Sequence, residues 1–488
     1  MQTATDAALG RLVQSGKQHR RLSESIAVGL VALLDIFLIL GSGLVIFSMY
    51  LYFVLEPGAV IRYGTVMMIT TYLLVQSFYF GGLYRFNAII TPGQQVGKII
   101  SISTFVFLVL VTAGFALKIS EDYSRFWLFS TAATSIAAIC LGRISFLAVI
   151  RWMTEKDYLA RDILIYGATE QAQRFIGHLR TMNAPWNKVI GVFDDRFSDS
   201  EVDMDGVPLR GNLDDLIQCA RETRADEIII ALPWGNQTRI SEILQRLRVL
   251  PTNIRLSPEI ESLRILSGTM NYQYGVPLVS IYEKPLSEWH VVVKRTFDVC
   301  VSAVLLLLLA PLMVVLFVGV KVDSPGPIFF RQKRYGFNNE LIQIWKLRTM
   351  YIEQQDENAE RLATPDDPRV TRFGSFLRRT SLDELPQLFN VLLGDMSLVG
   401  PRPHALRAKA AGQLYQDAVG EYAARHRVKP GLTGWAQVNG WRGETDTHEK
   451  IVKRVEHDLY YIENWSIRLD IRILLRTFSV LINQKNAY

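Results

Sequence analysis

Long apolar stretches dominate the first third of the chain, running roughly from Ala27 to Val54, Tyr63 to Tyr84, Ile99 to Leu117 and Phe126 to Ile150. A helix needs about 20 mostly apolar residues to cross a bilayer, so the pattern predicts four membrane helices. Asp35 falls inside the first of them; an acid at that depth is either functional or a structural group packed within the bundle. Arg11, Lys17, Arg20 and Arg21 precede the first stretch, Arg85 and Lys98 lie between the second and third, and Arg151, Lys156 and Arg161 follow the fourth. The opposite loops carry only Arg62, Lys118 and Arg125. By the positive-inside rule both ends of the four-helix unit are cytoplasmic. The first stretch ends in "VLEPGAV" rather than a small-residue cleavage pattern, so it reads as a retained helix and not a signal peptide.

A fifth apolar run, Val299 to Val320, has a different setting. Lys294 and Arg295 precede it and Lys321, Arg331, Lys333 and Arg334 follow, so the charge rule puts both of its ends on the cytoplasmic side. Pro311 stands at its midpoint, where it removes a backbone hydrogen bond and bends the helix. The expectation is a broken, re-entrant helix that dips into one leaflet and returns. A kinked, tilted, ordinary span is the competing reading.

Between these membrane segments, from about Asp162 to Leu266, the pattern changes to short apolar strands such as "ILIYGA", "KVIGVFDD" and "EIIIALP". They alternate with amphipathic "QAQRFIGHLR" and "LDDLIQCARE", which predicts βαβ units around a parallel sheet. In the first strand-to-helix turn, "GATEQA", only Gly167 meets the dinucleotide fingerprint; Thr169 and Ala172 take the other glycine positions. The chain also has no Tyr-x-x-x-Lys, the pair with which a nucleotide-sugar oxidoreductase of this fold removes a hydroxyl proton. A structural or regulatory Rossmann-like module is expected, and not a redox enzyme.

Composition agrees with this division. Of 488 residues 49% are hydrophobic and 20% charged, the balance of a membrane protein with soluble parts, and the length allows about three domains. The net charge of +6 suits a phosphate-bearing partner or an anionic membrane surface, and is too diffuse to indicate nucleic acid. Cys140, Cys219 and Cys300 form neither a disulfide framework nor a zinc spacing.

The remainder of the chain is basic and rich in motifs. A Pro/Gly turn leads into two alternating runs within "SPGPIFFRQKRYGFNNELIQIWKLRTM", which predicts a hairpin. "FLRRTSLDELPQLFNVLLGDMSLVGPRP" follows, with adjacent carboxylates Asp383 and Glu384. Ser381-x-x-Glu384 ahead of an apolar helix is a capping-box pattern, which would place Asp383 at the second helical position, where the helix dipole favours its ionised form. Capping and catalysis both remain open for this pair. Arg331, Lys333, Arg334, Lys346, Arg348, Arg378, Arg379 and Arg402 crowd the same region; guanidinium forks suit phosphate oxygens, although any one of these cations could be merely a solvated surface group. In "KPGLTGWAQVNGWRGET", Gln437 and Asn439 could hold nucleotide or sugar, while Trp435 and Trp441 serve either that purpose or membrane anchoring. His426 and Asp458 read as structural polar groups, and Ile467 to Ile482 as a helix lying either on the membrane surface or on the core.

From about Lys294 to Tyr488 these ordered motifs closely resemble the bacterial polyprenyl-phosphate sugar-1-phosphate transferases, the monotopic phosphoglycosyl transferases; the four-span and middle modules resemble their large, multidomain subfamily. The wording "VNGWRGETDT" is most similar to members that start exopolysaccharide chains with glucose. The resemblance implies transfer of a sugar 1-phosphate from a UDP-sugar, UDP-glucose first and UDP-galactose as an alternative, to undecaprenyl phosphate with release of UMP. It implies that Asp383 attacks phosphorus with Mg2+ held near Asp383 and Glu384, that Arg378 and Arg402 bind phosphate, and that Pro311 breaks the re-entrant helix, although Ala310 stands where many members have serine.

The resulting expectation is a membrane protein with an N-terminal four-helix transmembrane bundle (1–155), a central Rossmann-like α/β domain (156–285) and a C-terminal α+β catalytic domain (286–488) with a re-entrant helix at 299–320. Its place would be the bacterial inner membrane with the catalytic domain on the cytoplasmic face. Substrate phosphates would be held by Arg378, Arg402, Lys346 and Arg348. The expected partners are a UDP-sugar, undecaprenyl phosphate, inner-membrane lipid and a second copy of the chain, with no nucleic acid. A membrane-bound nucleotide-sensing interaction protein is the alternative from another class.

Overall fold

A computed structural model describes residues 23–53, 59–90, 92–155, 161–181, 186–196, 203–233, 235–257, 271–273, 276–286, 288–352, 367–404, 409–410, 413–414, 422–441, 443 and 447–483. The basic residues expected to orient the first span, Arg11, Lys17, Arg20 and Arg21, and also Lys156, lie outside them. The chain forms two compact units, one made of Gln14–Arg161 with Pro185–Lys188 and the other of Asp162–Ala184 with Val189 onward.

The first unit is helical: α1 (Glu24–Phe53), α2 (Ala59–Phe80), a short α3 (Phe86–Ile90), α4 (Pro92–Ala116) and α5 (Arg125–Glu155). Segments of α1, α4 and α5 are long and apolar enough to cross a membrane; α2, with Arg62 and Gln76 in its 22 residues, is more polar and falls outside that group. Large apolar side chains such as Leu33, Phe37, Phe105 and Phe129 point outward, as expected of helices solvated by lipid. Polar groups turn inward instead. Asp35 is fully buried and accepts from Arg143 Nη2 (2.6 Å) and from the Tyr84 hydroxyl (3.0 Å), while Arg143 Nη1 reaches the Leu83 carbonyl. Asp35 therefore ties α1 to α5 and to the turn after α2.

In the second unit a six-stranded sheet is built from β1 (Arg161–Tyr166), β2 (Asn187–Phe193), β5 (Glu227–Ile230), β6 (Asn253–Leu256), β7 (Asn271–Gln273) and β8 (Val276–Tyr282). A two-residue hairpin, β3 (Asp203–Met204) and β4 (Val207–Pro208), lies outside it. Strand order is β2-β1-β5-β6-β8-β7; β1 runs parallel to β5 and β5 to β6, and β8 is antiparallel to both β6 and β7. Successive strand residues point to opposite faces, and here both faces are covered, which explains the near-continuous apolar strand sequences. Leu164, Ile228 and Ile230 pack under α7 (Leu213–Thr223) and α8 (Gln237–Leu247); Ile163, Ile165 and Ile229 pack under α6 (Glu170–Thr181).

The loop after β1 is closed on itself. Gly167 has φ +109°, and a Cβ there would fall 2.5 Å from the Ala231 carbonyl oxygen. Thr169 Oγ1 donates to that same oxygen (2.7 Å), and the Ala168 N–H, which in a dinucleotide fold would approach pyrophosphate, donates to Asp194 Oδ2 (2.8 Å). Arg196 in turn grips Asp194.

After β8 comes α9 (Trp289–Asp323), 35 residues with Pro311 inside it and also long and apolar enough to span a membrane. The hairpin follows as expected: β9 (Phe329–Tyr335) pairs antiparallel with β10 (Leu341–Leu347). The remaining elements are α10 (Arg372–Thr380), α11 (Gln387–Leu393), β11 (Ser397–Val399), β12 (Lys409–Ala410), β13 (Gln413–Leu414), β14 (Gly431–Thr433), α12 (Trp435–Val438), α13 (His448–Glu463) and α14 (Ile467–Asn483).

Both ends of α9 are seated on this domain. Near its start Arg295 donates to the carbonyls of Val391 (2.5 Å) and Leu392 (2.6 Å), and Lys294 bridges Asp298 and buried Asp470. Near its end Leu316 and Val320 join Leu347 and Leu377 in one cluster, and Gly319 lies against the Phe373 ring. Between them Leu307, Leu308, Val314 and Val315 are exposed.

Candidate active site

The carboxylate pair lies between two helices, the first of which, α10, ends on Ser381 in the left-handed region (φ 57°, ψ 20°). Leu382–Glu384 then form a single 3-10 turn, and α11 starts only at Gln387, after Pro386. The expected capping box is not formed: Ser381 makes no side-chain cap, and Glu384 is turned away to other partners. The physical reason is Pro386, which sets its own φ and has no N–H to donate, so the α-helix cannot begin at Ser381 and starts past the proline instead. Asp383 therefore owes its environment to tertiary neighbours rather than to a helix N-terminus.

Those neighbours are cations from three elements. Lys346 Nζ on β10 donates to Glu384 Oε1 (2.9 Å), and Arg402, three residues past the end of β11 in "GPRP", clasps the same carboxylate through Nη2 to Oε1 (2.5 Å) and Nη1 to Oε2 (3.1 Å). Arg378 on α10 is held by Nε to Thr349 Oγ1 (2.9 Å), and its charge reaches Asp383. β10 and α11 are locked together by Asn390, fully buried, whose Oδ1 accepts from the Trp345 N–H (2.9 Å) and whose Nδ2 donates to the Gln343 carbonyl (2.7 Å). That lock puts Lys346 opposite Glu384. Asn390 carried no pattern in the sequence to mark it.

The two carboxylates are driven apart electrostatically. Burial pushes Asp383 up to about 6, with Lys346 opposing and Glu384 adding to the rise. Burial acts on Glu384 in the same direction, but Arg402 and Lys346 override it and hold that carboxyl well below the usual range. Glu384 is thus a fixed anion that anchors two cations, and Asp383 is a desolvated carboxylate, largely ionised at pH 7 and poorly solvated, which is how a nucleophile is activated. The donor set also fits a hard divalent cation. Mg2+ takes one or two protein carboxylates and fills its shell with water and substrate phosphate oxygens; Asp383 suits that role, and Glu384 does so only by exchanging a cation it now holds. Among the described residues no cluster of three His, Cys, Asp or Glu side chains forms a closed metal cage.

Other expected residues sit elsewhere. Arg348 does not reach the carboxylates: its guanidinium donates to the carbonyls of Pro325 (2.7 Å), Ser324 (2.5 Å) and Val320 (3.3 Å), so it closes the end of α9 where orphan carbonyls need donors. This corrects its expected place among the phosphate-binding cations. Asn439 Nδ2 donates to the Trp435 carbonyl (2.8 Å) at the end of α12, and Gln437 is buried with its Oε1 unpaired. Gln437 lies near the GPRP turn through a triple glycine crossing: Gly400, Gly431 and Gly434 approach so closely that a Cβ on any of them would lie within 2.6 Å of a backbone atom of this set or of Lys429. Trp435 stacks on Tyr460 and under Arg476. His426 is structural, pushed down to about 3 by burial, Arg425 and Arg221. Asp458 pairs with buried Arg425.

A buried carboxylate pair facing three cations thus sits in a chain that also carries helices long and apolar enough to span a membrane. Residues 289–484 match the family described as bacterial sugar transferase, and residues 80–258 match the one described as CoA-binding domain. The chain is 39% identical to "Undecaprenyl-phosphate glucose phosphotransferase" of Komagataeibacter xylinus over 78% of this chain and 69% of that one. It is 40% identical to "UDP-glucose:undecaprenyl-phosphate glucose-1-phosphate transferase" of Escherichia coli (strain K12), covering 75% and 76%, and 38% identical to the protein of the same name from Klebsiella pneumoniae, covering 78% and 80%. The chain belongs to the bacterial sugar transferase family that contains the undecaprenyl-phosphate glucose phosphotransferases.

Proposed function

We propose that this protein transfers glucose 1-phosphate from UDP-glucose to undecaprenyl phosphate, releasing UMP, as the first step of exopolysaccharide or capsule assembly, with Asp383 as nucleophile. The observation that carries the reading is the buried Asp383–Glu384 pair under Lys346, Arg378 and Arg402. An Asp383 carboxylate oxygen attacks the phosphorus that bears the glucose oxygen, and the bond from that phosphorus to the bridging oxygen breaks; UMP leaves with the bridging oxygen and the electron pair. An oxygen of undecaprenyl phosphate then attacks the same phosphorus and displaces the Asp383 carboxylate. Arg378 and Arg402 stabilise negative charge on the phosphoryl oxygens, and Glu384 keeps Arg402 and Lys346 in place for it. Mg2+, held by Asp383 and the diphosphate with Glu384 within reach, would supply further charge neutralisation.

The re-entrant reading of α9 is supported by its two seats. Arg295 and Val320 would lie about 37 Å apart along a straight helix at 1.5 Å per residue. Both ends are nevertheless held by the same domain, Arg295 by the Val391 and Leu392 carbonyls and Val320 by Arg348. A bend at Pro311 brings both ends back to one face and leaves the exposed apolar middle for one leaflet, with the domain on the cytoplasmic side of the inner membrane. α14 supports the same placement: Ile471, Leu475 and Phe478 are exposed beside Arg468 and Arg472 on the face opposite buried Asp470 and Ile473.

The test uses the purified full chain in lipid nanodiscs with a panel of labelled UDP-sugars, undecaprenyl phosphate and Mg2+. Lipid-linked glucose and UMP are expected from UDP-glucose. Asp383→Asn should abolish UMP release even without lipid acceptor; release at the wild-type rate would refute the nucleophile. In intact cells, labelling of a C-terminal cysteine by a membrane-impermeant reagent from the periplasmic side would refute the re-entrant helix.

A further inference from the structure

The turn Gly400–His404 delivers Arg402 to Glu384, and it is itself held by a buried arginine that lies outside the carboxylate site. Arg425 is 1% exposed. Its Nε donates to Asp458 Oδ2 (2.8 Å), its Nη2 is 2.7 Å from the same oxygen and donates to the Arg402 carbonyl (2.9 Å), and its Nη1 lies 2.9 Å from His404 Nδ1. The guanidinium also stacks over the Tyr422 ring at 5.1 Å. Two residues beyond Arg402, His404 is flanked on its other side by Arg454, whose Nη1 is 3.2 Å from Nε2 and which donates through Nε and Nη2 to the carbonyls of Trp441 and Gly443. Burial together with Arg425 and Arg454 keeps this imidazole neutral.

The arrangement is costly unless it serves placement. A fully buried guanidinium loses its hydration, which is recovered only through a good partner and a saturated fork. Here the fork is filled by groups other than Asp383 and Glu384: Asp458, His404 and the Tyr422 hydroxyl from side chains, and the Arg402 carbonyl from the backbone. α13 thereby dictates, through Asp458 and Arg425, where the Arg402 main chain lies. The Arg402 side chain closes the path to Glu384.

We propose that Arg425 is a positioning residue for the transfer reaction: clamped by Asp458 and His404, it holds the Arg402 carbonyl and so sets where the Arg402 guanidinium meets Glu384 and substrate phosphate, an inference that rests on the reading of Asp383, Glu384 and Arg402 as the transfer site. A lysine in its place keeps the charge beside Asp458 but cannot span all these partners from one point.

The test is a double-mutant cycle in the full chain in nanodiscs, following UMP release from UDP-glucose. Arg425→Lys should lower kcat roughly ten- to a hundredfold, the cost of a misplaced group, while KM for UDP-glucose changes less than about threefold. In an Arg402→Ala background the same substitution should have less than about a twofold effect, whereas with Arg378→Lys the two losses should multiply. Wild-type kcat for Arg425→Lys, or a loss that multiplies in full with Arg402→Ala, would overturn the proposal. Wild-type activity of Arg402→Ala alone would instead overturn the reading of the site. If Arg425→Lys does not fold, His404→Gln, which loosens one partner of the fork, should lower kcat roughly three- to tenfold, and that loss should also vanish with Arg402→Ala; its persistence there would refute the proposal.

Discussion

Replacing Asp383 by asparagine should make the protein more stable while destroying its activity, and the size of the gain should depend on pH. Burial of Asp383 outweighs the opposing charge of Lys346, and the Glu384 carboxylate adds to the rise, so its folded-state pKa, about 6, stands above the ordinary 3.8. A carboxyl raised in the folded state contributes its full stability below the ordinary value and loses it as pH rises through the folded one. The difference of about 2 units, at about 1.4 kcal/mol each, makes ionised Asp383 a burden of about 3 kcal/mol at pH 8. Asparagine has nearly the same shape and no charge to desolvate. Asp383→Asn should therefore gain about 3 kcal/mol at pH 8 and roughly half of that at pH 5. For a domain of this size the pH 8 gain corresponds to about 6–12 °C in Tm. Scanning fluorimetry of both proteins in nanodiscs with EDTA, so that no divalent cation compensates the charge, measures the difference at each pH. An equal gain at pH 5 and pH 8, or a loss at pH 8, would show that burial does not raise the Asp383 pKa and would remove the physical basis for its activation.

Because the ionised form attacks, kcat/KM of the wild type should fall below an apparent pKa near 6 and stay level from there to pH 8; a stopped assay of UMP release across this range checks it, and a limb near 4 would contradict it. Arg348→Lys should lower stability by about 2–4 kcal/mol through lost carbonyl contacts at the end of α9, with kcat of the folded protein within about threefold of wild type; a selective loss of kcat would return Arg348 to the phosphate site. In the first unit, Asp35→Asn should cost about 3–5 kcal/mol because it strands the buried Arg143 charge, and adding Arg143→Leu should recover part of that loss in a thermal-stability assay; additive losses would argue against a pair.

Much of this protein was readable along the chain, where the signal is local. Runs of apolar residues marked the long helices, because lipid imposes length and composition on each span by itself. Alternating strands and amphipathic helices marked the α/β module for a similar reason: each buried face leaves its period in the sequence. The hairpin and the presence of the Asp383–Glu384 pair and of Arg402 in one region were likewise legible, since their motifs are contiguous. What contiguity could not settle was which cation reaches which carboxylate. Lys346 and Arg348 are two residues apart on a strand with period 2, yet one meets Glu384 and the other turns back at the strand end to close α9. Ser381 and Glu384 carry a capping pattern, but Pro386 and the pull of Lys346 and Arg402 leave a 3-10 turn with Glu384 spent on tertiary partners. Asn390 and Arg425 gave no local sign, and Asp458, read as a structural polar group, gave none of its partner, because a buried polar group is satisfied by partners distant in sequence, 33 residues away for Arg425 and Asp458. The sequence by itself determined the elements and the chemical inventory; the tertiary structure decided how burial and charge divide that inventory, raising one carboxylate toward neutrality and fixing its neighbour as an anion.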